Sequence, residues 1–358
     1  MRILHAGNAN FGYVMSKELR KKGIESDVLV SEQSVSMKDR SMHNPLTHDK
    51  NIGSSLPEWF HTYDLKSAGW KFQILKTMRK YDIIHAYMEM PIFAMFSLKP
   101  YVAQSGGDDL RDLAFQKTLK GFLMRRAYQR ANAFVYVWPP HKKYAEKLGL
   151  RDAKYIERAW DASLFDQKKV VKSNENRLTI FHPVGQEWEM KGNDKFLRTF
   201  VKLCKEEKDV FLYYVNWGPD SDKAKKILDV PQVKKRMKII PGPISRDEMI
   251  AYMQKSDILA EQFNSGSFTR TGIEGFFFGI PLLINLDEEV HEELHGESPP
   301  VINAKNEHQI YDRLNELTKS KEILKEIGEK STRWAKKYYS LDNVIEKYLQ
   351  VYYKVLGE

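Results

Sequence analysis

One pattern restricts what this chain can fold into more than any other, and it occurs twice. Arg2–His5 is a short apolar run, followed by a loop with Gly7 and Gly12, a helical pattern Tyr13–Lys22 closed by Gly23, and the apolar run Ser26–Val30. About 175 residues later the order restarts: Arg177–Phe181, a loop His182–Asn193 holding Gly185 and Gly192, a helical Asp194–Glu207, and the strand-like Val210–Val215. Each repeat is a β-loop-α-β unit, and the helix that carries the chain back makes its two strands parallel. Ile83–Ala86, Tyr101–Gln104 and Ala133–Val137 supply further strands in the first half. The 358 residues therefore divide into two α/β domains, each large enough to bury a core. The reading sets their limits at residues 1–168 and 169–330, with a polar hinge at Gln167–Asn176. Helical patterns at Ile310–Tyr339 and Val344–Val355 follow without a further strand, and the segment 331–358 is expected to return to the first domain.

Composition narrows the setting. Cys204 is the only cysteine, so no intramolecular disulfide forms, and it reads as a core thiol in a reducing compartment. No apolar stretch approaches the roughly 20 residues that span a bilayer, and the N-terminus reads as a strand rather than a signal peptide. The expected setting is the cytosol. Residues 1–168 hold 27 Lys+Arg against 18 Asp+Glu, while residues 169–358 hold 30 of each, so the whole +9 excess lies in the first domain. A one-sided basic surface suits a polyanion, an anionic membrane face or a phosphate-bearing substrate. Zinc-finger spacing and RNP-like aromatic motifs are absent, and nucleic acid is not expected as a partner.

Open parallel sheets bind ligands at the carboxyl ends of their strands, so two such domains facing one another form a cleft lined by strand-end loops. In the first loop, Asn10, Phe11 and Gly12 lead into a helix start, which suits an anion; a tight turn needing glycine for steric reasons fits equally well. His5, His85 and His182 each stand at a strand end, with His182 favoured because Pro183 directs the chain after it. Their separation gives no metal-ligand geometry. Lys191 precedes Gly192 in the second domain's first loop, where an ammonium can neutralise a diphosphate; a solvated surface lysine is the plain alternative. The stretch from Asp257 to Asn285 reads as a strand (Ile258–Ala260), a polar loop, a helix from Thr269 to Phe278, a stop at Gly279, and a strand (Leu282–Ile284). Glu274 interrupts an otherwise apolar and small-residue helix. A carboxylate in that position needs a partner, and the hydroxyls of a ribose diol would serve.

The order of these features resembles retaining glycosyltransferases of the GT-B fold, specifically glycosyltransferase family 4. The resemblance spans nearly the whole chain: the first glycine loop, Ser105-Gly-Gly-Asp-Asp-Leu-Arg111, Trp160-Asp161-Ala-Ser-Leu-Phe165, Lys191-Gly192, Trp217-Gly218-Pro-Asp220, and the segment from Glu274 to Pro281. It implies two facing Rossmann-like domains: an N-terminal acceptor domain, a C-terminal nucleotide-sugar domain and terminal helices. Glu274 matches the second glutamate of the family's E-x7-E motif, which binds the nucleotide ribose. Ser267, Phe268, Thr269 and Arg270 match the segment whose backbone N–H groups hold diphosphate and sugar. Lys191 matches the lysine that neutralises the diphosphate, and Gly12 with Phe11 and Asn10 matches the loop that closes over the phosphates. Gly242, between Pro241 and Pro243, matches the place of base recognition. Asp108, Asp109 and His85 are the candidate acceptor contacts, and Lys191, Arg270 and His182 the candidate catalytic groups.

Three positions depart from the family pattern. Gly266 stands eight residues before Glu274, where the first glutamate belongs, and Glu261 or Gln262 is the nearest substitute. Gly185, Gln186 and Glu187 offer no arginine to accompany Lys191, leaving Arg270 to supply a guanidinium. Ser105 or Gly106 replaces the turn histidine. The resemblance implies retaining, metal-independent sugar transfer from a nucleotide sugar to a glycan or lipid-linked acceptor, without a cofactor. Gln116–Arg130 is a candidate interfacial helix for an anionic membrane, although a helix packed on its own sheet with a solvated basic face explains it equally. The alternative to turnover is a catalytically silent nucleotide-sugar-binding protein; an epimerase or phosphorylase of the same fold is a third reading.

Overall fold

The computed structural model describes residues 1–35, 55–158 and 177–357. The hinge Gln167–Asn176 and the Trp160–Phe165 motif lie outside the described residues. The chain packs as two compact units, Met1–Trp160 with Leu341–Glu358, and Asp161–Ser340. The sequence reading puts these limits after residues 168 and 330.

In the first unit, β1 (Arg2–Ala6), β2 (Glu25–Ser31), β3 (Phe60–Tyr63), β4 (Ile83–Tyr87), β5 (Tyr101–Ser105), β6 (Ala133–Tyr136) and β7 (Lys154–Tyr155) form one sheet in the order β3-β2-β1-β4-β5-β6-β7. Every pairing is parallel. β4 and β5 are buried along their whole length, as expected of strands covered by helices on both faces. The second unit carries β8 (Leu178–His182), β9 (Val210–Asn216), β10 (Met237–Pro241), β11 (Ile258–Ala260), β12 (Leu282–Ile284) and β13 (Ile302–Asn303), in the order β10-β9-β8-β11-β12-β13, again all parallel.

The first helix runs Ala9–Lys21, four residues earlier than the sequence reading starts it. Asn8 accounts for the difference: its side chain accepts the Phe11 N–H at 3.0 Å, capping a turn that the glycines had suggested was loop. Gly7 sits at φ +102°, and a Cβ there would stand 2.5 Å from Met90 Cγ and 2.8 Å from the Tyr87 carbonyl oxygen. Gly12 faces the sheet, where a Cβ would lie 3.2 Å from His5 Cβ. Its role is to let the helix settle on β1 and β2.

The terminal helix Leu341–Leu356 belongs to the first unit, where Val344, Ile345, Tyr348 and Tyr352 pack with Ile3, Phe11 and Met15. Tyr352 Oη lies 2.6 Å from His85 Nδ1, and Tyr348 donates to Gln104 Oε1 at 2.8 Å. The preceding helix Glu322–Tyr339 belongs to the second unit. Gly328 meets Gly279 there so closely that a Cβ on Gly328 would lie 2.2 Å from the Gly279 carbonyl oxygen. Thr332 donates to the Phe276 carbonyl at 2.8 Å. This packing moves the limit between the units past residue 330. Among the described residues, no helix is long and apolar enough to cross a membrane.

Gly328→Ala forces backbone against backbone and should destabilise the protein by about 1–3 kcal/mol in urea unfolding. An unchanged midpoint would show that the two elements can separate freely.

Candidate functional site

In the second unit the chain leaves β8 towards β9 on one side and later comes back to β11 on the other. This reversal opens a crevice beyond the carboxyl ends of β8 and β11, the place where α/β sheets bind ligands. The loops that meet there follow His182 and Ala260.

His182 is fully buried. Its Nδ1 lies 2.8 Å from the Ala260 carbonyl oxygen, while Nε2 faces the Gln186 and Asn193 amides at 3.0 and 3.3 Å. Burial pushes its pKa down to about 4, so at neutral pH Nδ1–H donates to Ala260 and Nε2 accepts. Both nitrogens are thus engaged, and His182 joins the two strand ends as a positioning residue. That differs from the catalytic role expected of it.

The loop after β8 is built by the Trp217-Gly218-Pro-Asp220 segment. Trp217 donates from its indole to the Pro183 carbonyl at 2.8 Å, and Asp220 accepts the Trp188 N–H at 2.9 Å. Gly218 lies at φ +97° with its missing Cβ 2.6 Å from Gln186 backbone. A short helix Trp188–Lys191 ends at Gly192. Lys191 is 19% exposed, with Nζ 3.2 Å from Glu187 Oε2. Its carbonyl accepts the Phe263 N–H at 2.6 Å, and Asn264 donates to the Trp188 and Glu189 carbonyls, tying this loop to the one after β11. Gly192, at φ +62°, has no room for a Cβ beside Asn264 Oδ1, 2.6 Å away.

Glu261 is also fully buried, and both its oxygens serve Thr269: Oε2 accepts the Thr269 N–H at 3.1 Å and Oε1 accepts the Thr269 hydroxyl. Burial raises its pKa to about 7 against the opposing effects of Thr269 and Lys191. Gln262 likewise turns inward, donating to the Ser267 carbonyl. The two residues offered as substitutes for the missing glutamate instead hold the loop and the helix start. Phe268 packs its ring against Phe276, His291 and Trp334, at centroid distances of 5.4, 4.9 and 5.8 Å. That anchor leaves its backbone at the loop. The N–H groups of Ser267 and Phe268 find no acceptor among the described residues, and neither does the buried Ser267 hydroxyl.

Helix Arg270–Phe277 starts here, capped by Thr269, whose hydroxyl accepts the Thr271 N–H at 3.2 Å. Gly272 and Gly275 seat it tightly: added Cβ atoms would stand 2.9 Å from Phe268 Cβ and 2.9 Å from Leu259 Cδ2. Glu274 lies on this helix, 4% exposed, with Oε2 lacking any hydrogen-bond partner among the described residues. Burial raises its pKa to about 7, while Arg270 and Arg246 pull it down. Arg246 escaped the sequence reading. It opens helix Arg246–Gln254 directly after the N-cap Ser245 of the Ser245–Glu248 capping box, and nothing in the sequence links that helix start to Glu274. Gly242 sits nearby in sequence, its missing Cβ 2.6 Å from Val215 and 2.9 Å from the Trp217 ring. The charge of Lys191 thus acts on Glu261, which bonds Thr269, the cap of the helix that carries Arg270 and Glu274.

The first-unit candidates fare differently. Asn10, Phe11 and Gly12 lie within a helix rather than a loop, with Phe11 and Gly12 buried against the sheet. His85 is fully buried beneath Tyr352, so it is a core residue and not an acceptor contact. Asp109 accepts the N–H groups of Gly106 and Gly107 and the Tyr128 hydroxyl, which makes it the brace of its own turn. Asp108 stays exposed, paired with Arg111 at 2.5 Å. Among the described residues, no group of three or more His, Cys, Asp or Glu side chains could hold a metal ion.

A carboxyl whose pKa is raised on folding binds more protons folded than unfolded between the two pKa values, so it lowers stability as pH rises from about 4.5 to about 7. Without ligand, Glu274→Gln should gain about 2–3 kcal/mol at pH 8 and little at pH 4 in urea unfolding. Parallel pH profiles for the two proteins would contradict this.

No protein-family model and no curated protein matches the sequence. Solved structures do. HepE from Anabaena, in complex with UDP, has a TM-score of 0.73 at 13% identity over 99% of this chain and 100% of its own. A glycosyltransferase from Rickettsia africae ESF-5 has 0.71 at 15% identity, over 99% and 98%. Sucrose-phosphate synthase from Thermosynechococcus elongatus has 0.67 at 10% identity, over 100% of both chains. At such identities the likeness shows the fold, which is the one expected: GT-B, two Rossmann-like α/β units with parallel sheets in one chain.

Proposed function

We propose that this protein is a retaining glycosyltransferase of the family 4 type, moving a sugar from a nucleotide-sugar donor to a glycan or lipid-linked acceptor. The observation that carries the reading is Glu274: a buried carboxyl whose Oε2 has no hydrogen-bond partner among the described residues, one turn from Arg270 on the helix that follows Ser267 and Phe268. A ribose diol supplies the donors such a carboxylate lacks. The helix N-terminus, with the N–H groups of Ser267 and Phe268, meets the diphosphate. Lys191 and Arg270 add cationic charge. The UDP held by HepE in its crystal structure is a ligand of this chemical class.

In the reaction, the bond between the sugar C1 and the diphosphate oxygen breaks with its electron pair leaving on the diphosphate. The acceptor oxygen bonds to C1 on the same face, and its proton passes to the departing phosphate oxygen. The chain's contribution is electrostatic: Lys191, Arg270 and the helix start stabilise charge that grows on the leaving group, without requiring a metal. Neither His182 nor Glu261 takes a proton in this scheme, since both are committed to internal hydrogen bonds.

A silent nucleotide-sugar binder is the second reading. It is favoured by Gly266 in place of the first glutamate and by Glu261 being spent on Thr269. Incubation with UDP-, GDP- and ADP-sugars separates the two, because transfer requires release of free nucleotide. For turnover, Lys191→Ala should lower kcat by at least about a hundredfold and donor affinity by less than about tenfold. Tight donor binding with no nucleotide released by the wild-type protein would support the silent reading.

A further inference from the structure

We propose that helices Trp70–Met78, Met90–Ala94 and Leu119–Gln129 of the first unit, with the turn Met95–Lys99, form a docking face for an anionic lipid bilayer. The three helices adjoin. Trp70 and Phe93 rings lie 5.6 Å apart, and Lys120 of the third helix pairs with Glu89 at the start of the second, 2.5 Å away.

Large apolar side chains are exposed on the first and third helices and in the turn. Phe72 is 78% exposed, Leu98 86% and Leu119 76%, with Phe96 and Phe122 about half exposed. Leu98 is the most telling. It holds φ +62°, a conformation that favours glycine or asparagine, in a turn fixed by the buried Ser97 hydroxyl donating to the Ala94 carbonyl at 2.7 Å. A leucine kept at that φ and left in water gains nothing for the folded monomer. It is explained by a partner that takes the side chain in.

Charge selects the partner. Residues 66–130 carry 12 Lys+Arg against 5 Asp+Glu, which is seven of the chain's nine excess positive charges. Lys71, Lys76, Arg79, Lys99, Lys120 and Arg126 lie on or beside the same helices and turn as the exposed apolar groups. Exposed aromatic and leucine side chains carried on the same elements as lysine and arginine match acyl chains beneath anionic headgroups. Arg125 is not part of this face, since its guanidinium donates to the Ala114 and Gln116 carbonyls at 2.6 and 3.1 Å. The helix expected from sequence to be interfacial is thus one of three contributors. The docking face stands independently of the donor reading.

The test is co-sedimentation of the full chain with vesicles of phosphatidylcholine alone or mixed with phosphatidylglycerol, at about 0.1 M salt. The mixed vesicles should bind at least about tenfold more tightly than the neutral ones. The triple variant Leu98→Ser, Leu119→Ser, Phe122→Ser and the double variant Lys76→Glu, Arg126→Glu should each lose at least about tenfold, with melting temperature and solution mass unchanged. If the triple variant melts early, the double variant carries the test. Wild-type binding that is absent, equal on both vesicles, or unaffected by the double variant overturns the proposal. So does a wild-type dimer that the triple variant converts to monomer without any lipid binding, which would assign the face to a second copy.

Discussion

The close seating of helix Arg270–Phe277 on β11 and β12 is the constraint from which the site follows. Gly272 and Gly275 present no side chain of their own, so the helix backbone rests directly on Leu259 and Leu282, and Glu261 grips the helix start through Thr269. Set that deep, the helix buries Glu274 in surroundings that supply guanidinium charge but, among the described residues, no hydrogen bond to Oε2. A buried carboxyl missing a partner costs stability. Its retention on a rigid element beside free N–H groups is what a preorganised ligand site requires.

Polar burial takes two forms in this fold. His182, Glu261, Gln262 and Asp109 are buried and bonded within their own loops, so their polarity is spent on holding strand ends and turns. Glu274 and Ser267 have buried atoms without a hydrogen-bond partner among the described residues, as do His85 and His291, but Glu274 is the carboxyl that also has two arginines, Arg270 and Arg246, acting on it. Residue type and position at a strand end cannot tell these apart, because whether an acceptor lies within 3 Å depends on the neighbouring loop. For this reason the histidines attracted attention in the sequence although neither His85 nor His182 reaches a surface.

Much of the fold could be read from the chain. Ile258–Ala260 and Leu282–Ile284 are strands as expected, and the helix expected over Thr269–Phe278 runs Arg270–Phe277. Both repeated openings are present, because a buried apolar run followed by glycine and an amphipathic helix has few other solutions. What escaped was short or peripheral. β7 and β13 have two residues each and lie at sheet edges, where half-exposed strands lose their apolar signature. The first loop was misjudged since Asn8, rather than either glycine, decides where the helix begins. Arg246 was illegible because its nearness to Glu274 is a tertiary fact joining two helices.

The most direct test of the claim that Glu274 is kept for sugar hydroxyls is calorimetric titration with a nucleoside diphosphate and its 2′,3′-dideoxy form, using wild type and Glu274→Ala. The wild-type protein should prefer the ribose form by at least about tenfold, and the variant should lose that preference while still binding the diphosphate. A variant that discriminates as well as the wild type would contradict the assignment.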